Sequence, residues 1–293
     1  MTSTLAKIRS GSRMLLDADL WRIILRESGR ARRQVGAVPA SNIVEVDESS
    51  GLHLIAIGGH RYWVPRSMSL DEFSSIYSEV FCEDHPHYYE YGSCRIRPGD
   101  VVVDAGASEG LFTRFALERG ARVIAVEPWR PMAEALRRTF AAEIAAGSVV
   151  VAQTCLSDEV GTTTLQIDPN VPWGGTIDPA SESESAARHV SETVTQTTLD
   201  AFLASSPWGR CDFLKMDVEG IERKAVAGAR ETIARELPCL SIAVYHHATG
   251  YLDIRHDLRA LGLRYKVTGK GLQRRGLYFP MILHAWPPAR ETA

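Results

Sequence analysis

A chain of 293 residues, 45% hydrophobic and 24% charged, has the composition of a globular domain and can bury a sizeable core without metal or disulfide staples. Formal net charge is −3 with no extended basic stripe, which argues against a nucleic-acid partner, and the short cluster Arg30, Arg32, Arg33 reads as a solvated linker. Cys82, Cys94, Cys155, Cys211 and Cys239 form no Cys-x-x-Cys pair and read as reduced thiols of a cytoplasmic protein. Lys7, Arg9, Arg13, Asp17 and Asp19 interrupt the N-terminal apolar stretch, so no signal peptide is expected, and no run reaches the ~20 apolar residues of a membrane span.

In chain order, Leu15, Leu16, Leu20, Trp21, Ile23, Ile24 and Leu25 show partly helical spacing, so an amphipathic helix is expected, packed on the body or on another subunit of a homo-oligomer. Ile43–Val46, Leu52–Ile57 and Arg61–Val64 are β-like runs separated by turn residues and predict a small hairpin or meander. A helix over 70–83 follows, with Ser69 as N-cap and Asp71 and Glu72 in its first turn, then a loop rich in His and Tyr, His85 to Tyr91.

From residue 100 short apolar strands alternate with helices. The strands are Val101–Asp104, Arg122–Val126, Val149–Gln153, Phe213–Asp217 and Leu240–Tyr245, and the helices lie near 110–119, 130–146, 219–236 and 252–262. That alternation predicts an α/β fold, a doubly wound, mostly parallel sheet with helices on both faces. Leu263–Val267 and Tyr278–Ala285 are joined by a Gly-rich loop too short for a helix, so the sheet is expected to end in an antiparallel hairpin. Asp168–Glu192 is polar, with Pro, Gly and Ser-Glu-Ser-Glu, and reads as a long loop. The expected organisation is an N-terminal extension of helix, hairpin and lid (1–94), a catalytic domain (95–287) and a tail (288–293).

The strongest local signal is Val101-Val-Val-Asp104-Ala-Gly106-Ala107-Ser108-Glu-Gly110-Leu-Phe-Thr113, a buried strand entering a glycine turn and then a helix. Gly106 permits a tight turn and a ligand against the backbone, and Gly110 a closely packed helix start. Glu127, followed by Pro128, ends the next strand, where a carboxylate can accept from both hydroxyls of a ribose. A dinucleotide site prefers Gly-x-Gly-x-x-Gly with phosphates on the helix start. Here Asp104 takes the first glycine position, and its charge suits a phosphate-free cation, S-adenosylmethionine, better than a pyrophosphate.

A second motif comprises Thr197-Thr198-Leu199-Asp200 and Lys215-Met-Asp217-Val-Glu219-Gly220. With Asp104–Gly110 and Glu127-Pro128, these four steps in order make residues 95–285 resemble the FkbM-type methyltransferase family, although Ser108 stands where that family usually has Asn. The resemblance implies a class I methyltransferase (Rossmann-like) fold, S-adenosyl-L-methionine as donor, and O-methylation of a hydroxyl on a sugar or secondary metabolite. The cofactor-binding candidates are Asp104, Gly106, Ala107, Ser108, Gly110, Thr113, Glu127, Pro128, Ser157 and Asp217.

A hydroxyl acceptor must lose its proton, and His246, just past the fifth strand, is the candidate base, with Asp217 to orient the hydroxyl or hold the methionine ammonium. Asp217, Glu219 and His246 could also ligate a divalent cation, a reading not favoured here. Lys215 should share a face with Asp217 and reads as a salt-bridge partner. Tyr88, Trp173, Glu219 and Tyr245 are the substrate-binding candidates, with Tyr88, Tyr89 and Tyr91 as a lid. Two competing readings are a nicotinamide-dependent oxidoreductase and a non-catalytic S-adenosylmethionine-binding module.

Overall fold

The computed structural model describes residues 17–30, 36–168, 171–176, 190–275 and 277–291. Helix α1 (Ala18–Arg30) buries Leu20 and Ile23 against the body and leaves Trp21 and Leu25 exposed. Asp17 caps it by accepting the Leu20 N–H at 2.8 Å and also pairs with Arg255, so one carboxylate starts the helix and docks it. Leu15 and Leu16 lie outside the described residues.

Strands β1 (Asn42–Asp47), β2 (Leu52–Ile57) and β3 (His60–Pro65) form the expected antiparallel meander. Helix α2 (Leu70–Phe81) begins in a capping box: Ser69 Oγ accepts the Glu72 N–H and Glu72 accepts the Ser69 N–H. Tyr62, Phe73 and Leu52 share one cluster with Val102 and Phe213 of the central sheet and with Phe115 of the helix 111–118 that covers it. The extension and the sheet therefore bury a continuous core.

The catalytic body runs β4 (Val101–Ala105), α3 (Leu111–Glu118), β5 (Arg122–Val126), α4 (Arg130–Thr139), α5 (Ala141–Ala145) and β6 (Val149–Ala152). It continues through β7 (Cys155–Leu156), β8 (Gly161–Asp168), β9 (Val171–Thr176), β10 (Val190–Thr197) and α6 (Leu199–Ser205). Then follow β11 (Phe213–Met216), α7 (Glu222–Ala227), α8 (Arg230–Glu236), β12 (Cys239–Ala243), α9 (Gly250–Ala260), β13 (Lys266–Lys270), β14 (Gln273–Arg275), β15 (Leu277–Phe279) and β16 (Ile282–Trp286).

Seven strands form the main sheet in the order β6-β5-β4-β11-β12-β16-β13, and β16 alone runs antiparallel to its neighbours. Every residue of β4, β11, β12 and β16 is buried, as a sheet covered on both faces requires. The direction of winding reverses between β4 and β11, and ligands on such sheets bind beyond the carboxyl ends at that switch point.

Three expectations need correction. The helix expected over 130–146 breaks at Phe140, whose ring is buried against Gly110 and whose backbone (φ −106°, ψ 24°) leaves the helical region. The helix expected over 219–236 starts at Glu222 and breaks at Gly228-Ala229, where Asp200 accepts the Glu231 and Thr232 N–H groups and starts a second helix. Asp168–Glu192 is not a single loop. Val171–Thr176 and the start of β10 lie in a second sheet of order β7-β10-β8-β9, and residues 177–189 fall outside the described set. Its β-branched residues are mostly Thr, with a small apolar patch of Leu165, Ile167 and Val194, so apolar runs do not mark it.

Among the described residues no helix is long and apolar enough to cross a membrane. Docking of α1 is tested by truncation. Leu20→Ala is expected to cost about 2–5 kcal/mol in urea unfolding, whereas Leu25→Ala, at a site 73% exposed, should change stability by under about 0.5 kcal/mol.

Candidate active site

A cleft of about 1120 Å³ opens at the switch point, walled by the turn after β4, the end of β5, β7, the turn after β11 and residues of the extension. Gly106 makes this possible in an unexpected way. Its φ is +75°, and a Cβ there would lie 1.8 Å from the Asp217 carbonyl oxygen. The missing side chain thus admits the neighbouring loop, not the ligand. Gly110, at φ +84°, lets the start of α3 rest on Phe140 and Leu136.

Of the expected cofactor residues, Gly106, Ala107, Ser108, Glu127, Pro128 and Asp217 line the cleft. Glu127 is held by the Ser108 N–H (3.1 Å) and the Trp129 N–H (2.9 Å), and burial pushes its carboxyl up to about 7 against the pull of those amides. Asp104, Gly110, Thr113 and Ser157 do not line it. The Asp104 carboxylate is fully buried, 3.0 Å from Lys215 Nζ, and accepts the Thr113 hydroxyl at 2.7 Å. It is a structural countercharge facing inward. Ser157 is buried beside Asp158, and Thr154, Cys155 and Leu156 line the wall in its place.

Lys215 sits at 4% exposure, where its ammonium also donates to the Ala105 and Gly106 carbonyls. Burial opposes its charge, but Asp104 and Asp217 outweigh it and keep the lysine protonated above its usual value. Asp217 follows on the next turn. Its Oδ2 accepts the Tyr89 hydroxyl at 2.7 Å, and the Tyr245 hydroxyl lies 3.2 Å from both oxygens. Burial raises this carboxyl, but His246, His87 and Lys215 outweigh it and leave Asp217 below the usual carboxylate range.

Of the residues expected to bind substrate, Glu219 and Tyr245 line the cleft, while Tyr88 does not: its hydroxyl turns away to Glu90 and Arg119. The Trp173 side chain lies outside the described residues. His246 Nε2 stands 3.3 Å from Glu219 and 3.7 Å from Asp217, and Nδ1 stands 2.8 Å from Glu222. Burial disfavours its charge, yet Glu222 and Glu219 raise it well above 6.5. Flanked by three carboxylates, the imidazole stands among groups that favour its charged form. His247 points elsewhere, to the Gly220 carbonyl at 2.7 Å.

Sequence reasoning missed Glu79, Glu109 and Glu222 and did not single out Tyr89 from its neighbours. Glu79 comes from α2 and lines the cleft, with its Oε2 3.2 Å from His87 Nδ1, and the far side of that ring is 3.7 Å from Asp217. Burial, with the charges of Asp217 and Glu109, raises Glu79 to about 8. No local motif marks Glu79 and Tyr89, which reach the site through packing of the extension, whereas Glu109 sits in the glycine turn after β4 and Glu222 opens α7.

A sheet of this order, with its antiparallel strand inserted next to last, is the arrangement of the class I methyltransferase fold, and an acid closes β5 over the cleft. The sequence pattern of the Methyltransferase FkbM domain matches residues 104–265. A methyltransferase of Sordaria araneosa, sdnD, is 28% identical over 191 residues, covering 56% of this chain and 72% of that protein. The 31-O-demethyl-FK506 methyltransferase FkbM of Streptomyces tacrolimicus is 30% identical over 189 residues, covering 55% and 70%. The crystal structure of methyltransferase FkbM from Methylobacillus flagellatus aligns at TM-score 0.47 and 21% identity, over 69% of this chain and 50% of that one. The chain belongs to the FkbM methyltransferase family and is an S-adenosylmethionine-dependent methyltransferase. Family membership replaces the nicotinamide and non-catalytic alternatives.

The structural role of Lys215 is testable. Lys215→Met leaves Asp104 buried without its countercharge and is expected to cost about 3–5 kcal/mol, read as a fall in the urea midpoint. The double variant with Asp104→Asn should recover much of that loss, and equal destabilisation in both would contradict the assignment.

Proposed function

We propose that the protein methylates a hydroxyl oxygen of a small molecule. One observation carries this reading. Among the described residues the cleft presents five carboxyl groups, Glu79, Glu109, Glu127, Asp217 and Glu219, and one basic side chain, Lys215, whose ammonium is turned inward to Asp104. Such a lining repels phosphates and attracts a cation, and S-adenosylmethionine carries a sulfonium and an ammonium.

When bound, S-adenosylmethionine supplies a methyl group on a cationic sulfur, which leaves as a neutral thioether once an acceptor oxygen takes the methyl. Glu127 lines the cleft, and each of its oxygens, already accepting one backbone N–H, has a further lone pair with which to receive a ribose hydroxyl. Asp217, ionised and flanked by Tyr89 and Tyr245, orients the acceptor hydroxyl. Glu79, raised to about 8, is matched to take the acceptor's proton near neutral pH, and His87 between Glu79 and Asp217 holds the two carboxyl groups in relation to each other. A relative named for a 31-O-demethyl substrate supports oxygen as the atom methylated.

Calorimetric titration with S-adenosylmethionine tests donor binding. Glu127→Gln should weaken it about 10- to 100-fold, the worth of a hydrogen bond to a charged group. With the carboxyl at about 7 in the free protein, affinity should fall as pH drops from 8 to 6, because binding needs the ionised form and releases a proton below that value. Flat affinity over this window would remove Glu127 from the ribose role. A panel of hydroxyl-bearing metabolites followed by mass spectrometry tests the acceptor, and methylation on nitrogen or carbon only would overturn the oxygen assignment.

A further inference from the structure

We propose that Asp217, Glu219 and His246 form a binding site for one divalent cation, magnesium or manganese, on the floor of the cleft. Each offers one ligand atom, and the three atoms lie within 4.8 Å of one another. For metal–ligand bonds of about 2.1 Å, neighbouring ligands of an octahedral ion stand about 3 Å apart. The imidazole Nε2 is 3.3 Å from the Glu219 oxygen and 3.7 Å from the Asp217 oxygen, so small side-chain shifts close the cage. Two carboxylates with one imidazole form a donor set suited to these ions.

Independent support comes from the groups behind the ligands. A metal-bound histidine ordinarily gives its other ring nitrogen to a carboxylate, which fixes the ring with its lone pair toward the ion. Glu222 occupies that place, 2.8 Å from His246 Nδ1. It is itself 3% exposed and is fixed by the Val218 and Gly220 N–H groups, so it is built in rather than drifting at the surface. Asp217 is also held in place, since the Tyr89 hydroxyl donates to Oδ2, the Tyr245 hydroxyl lies 3.2 Å from both oxygens, and Oδ1 stands 3.7 Å from the imidazole.

Charge points the same way. Asp217, Glu219 and Glu222 converge on the imidazole of His246, His87 stands 3.7 Å from Asp217, and the nearby ammonium of Lys215 is paired with Asp104. A cluster of carboxylates attracts a cation to the floor of the cleft. Asp217 and Glu219 line the cleft, so the remaining coordination positions open toward an acceptor oxygen. That last role rests on the methyl-transfer reading, whereas cation binding does not.

The test is titration of the full chain with manganese chloride alone, following loss of the free-ion electron paramagnetic resonance signal. One ion per chain is expected. Asp217→Asn and His246→Ala should each abolish this binding, and Glu222→Gln should weaken it about 10- to 100-fold. Circular dichroism and S-adenosylmethionine titration on each variant report whether the fold and the Glu127 side of the cleft survive. Glu219→Gln supplies the ligand test should His246→Ala fail to fold. An undiminished signal with the unaltered protein, or manganese bound as tightly by folded Glu219→Gln and His246→Ala, would overturn the proposal. So would stoichiometric expulsion of manganese by S-adenosylmethionine, which would assign these carboxylates to the donor's ammonium. Manganese binding without donor binding would strike the methyl-transfer reading and leave the cation site standing.

Discussion

The ammonium of Lys215, buried beside the carboxylate of Asp104, fastens the two strands between which the sheet reverses its winding. Its further bonds to the Ala105 and Gly106 carbonyls hold the glycine turn over the end of β11. Because Gly106 has no side chain, the Asp217 carbonyl can lie against it, and the Asp217 N–H reaches the Ala105 carbonyl. The position of the Asp217 carboxylate is thus set by an ion pair and a missing methyl group one layer below it. Such a pair adds little net stability, since its desolvation offsets its attraction, but removing one partner leaves a buried charge that the fold cannot solvate.

Above this layer the cleft is acidic, and its acids do not behave alike. Burial drives Glu127 to about 7 and Glu79 to about 8, while Asp217 stays below the usual range because His246, His87 and Lys215 offset its burial. A single cleft therefore presents groups that exchange protons near neutrality beside one that remains charged. Neighbours produce that division, since all three residues carry the same functional group.

The N-terminal extension is part of the site. Its meander and α2 share a hydrophobic cluster with the central strands, and through that packing Glu79, His87 and Tyr89 meet Asp217. The family match begins at residue 104, so these three side chains lie outside it. Differences in such an extension can alter one side of the cleft while the other keeps its glycine turn and its Glu127.

The alternation of apolar strands and helices from Val101 onward, the turn at Gly106 and Glu127 closing the next strand were legible in the chain alone. Each is a local pattern: a run, a period or a spacing read along the backbone. The Thr-Leu-Asp step was legible as a motif, but only the fold reveals that Thr198 caps one helix and Asp200 starts another. The inward turn of Asp104, the carboxylates gathered around His246 and the arrival of Glu79 and Glu222 were decided by tertiary structure. Which way a carboxylate faces and whether it keeps its proton depend on burial and on charges brought from distant segments, and neither is written in sequence spacing.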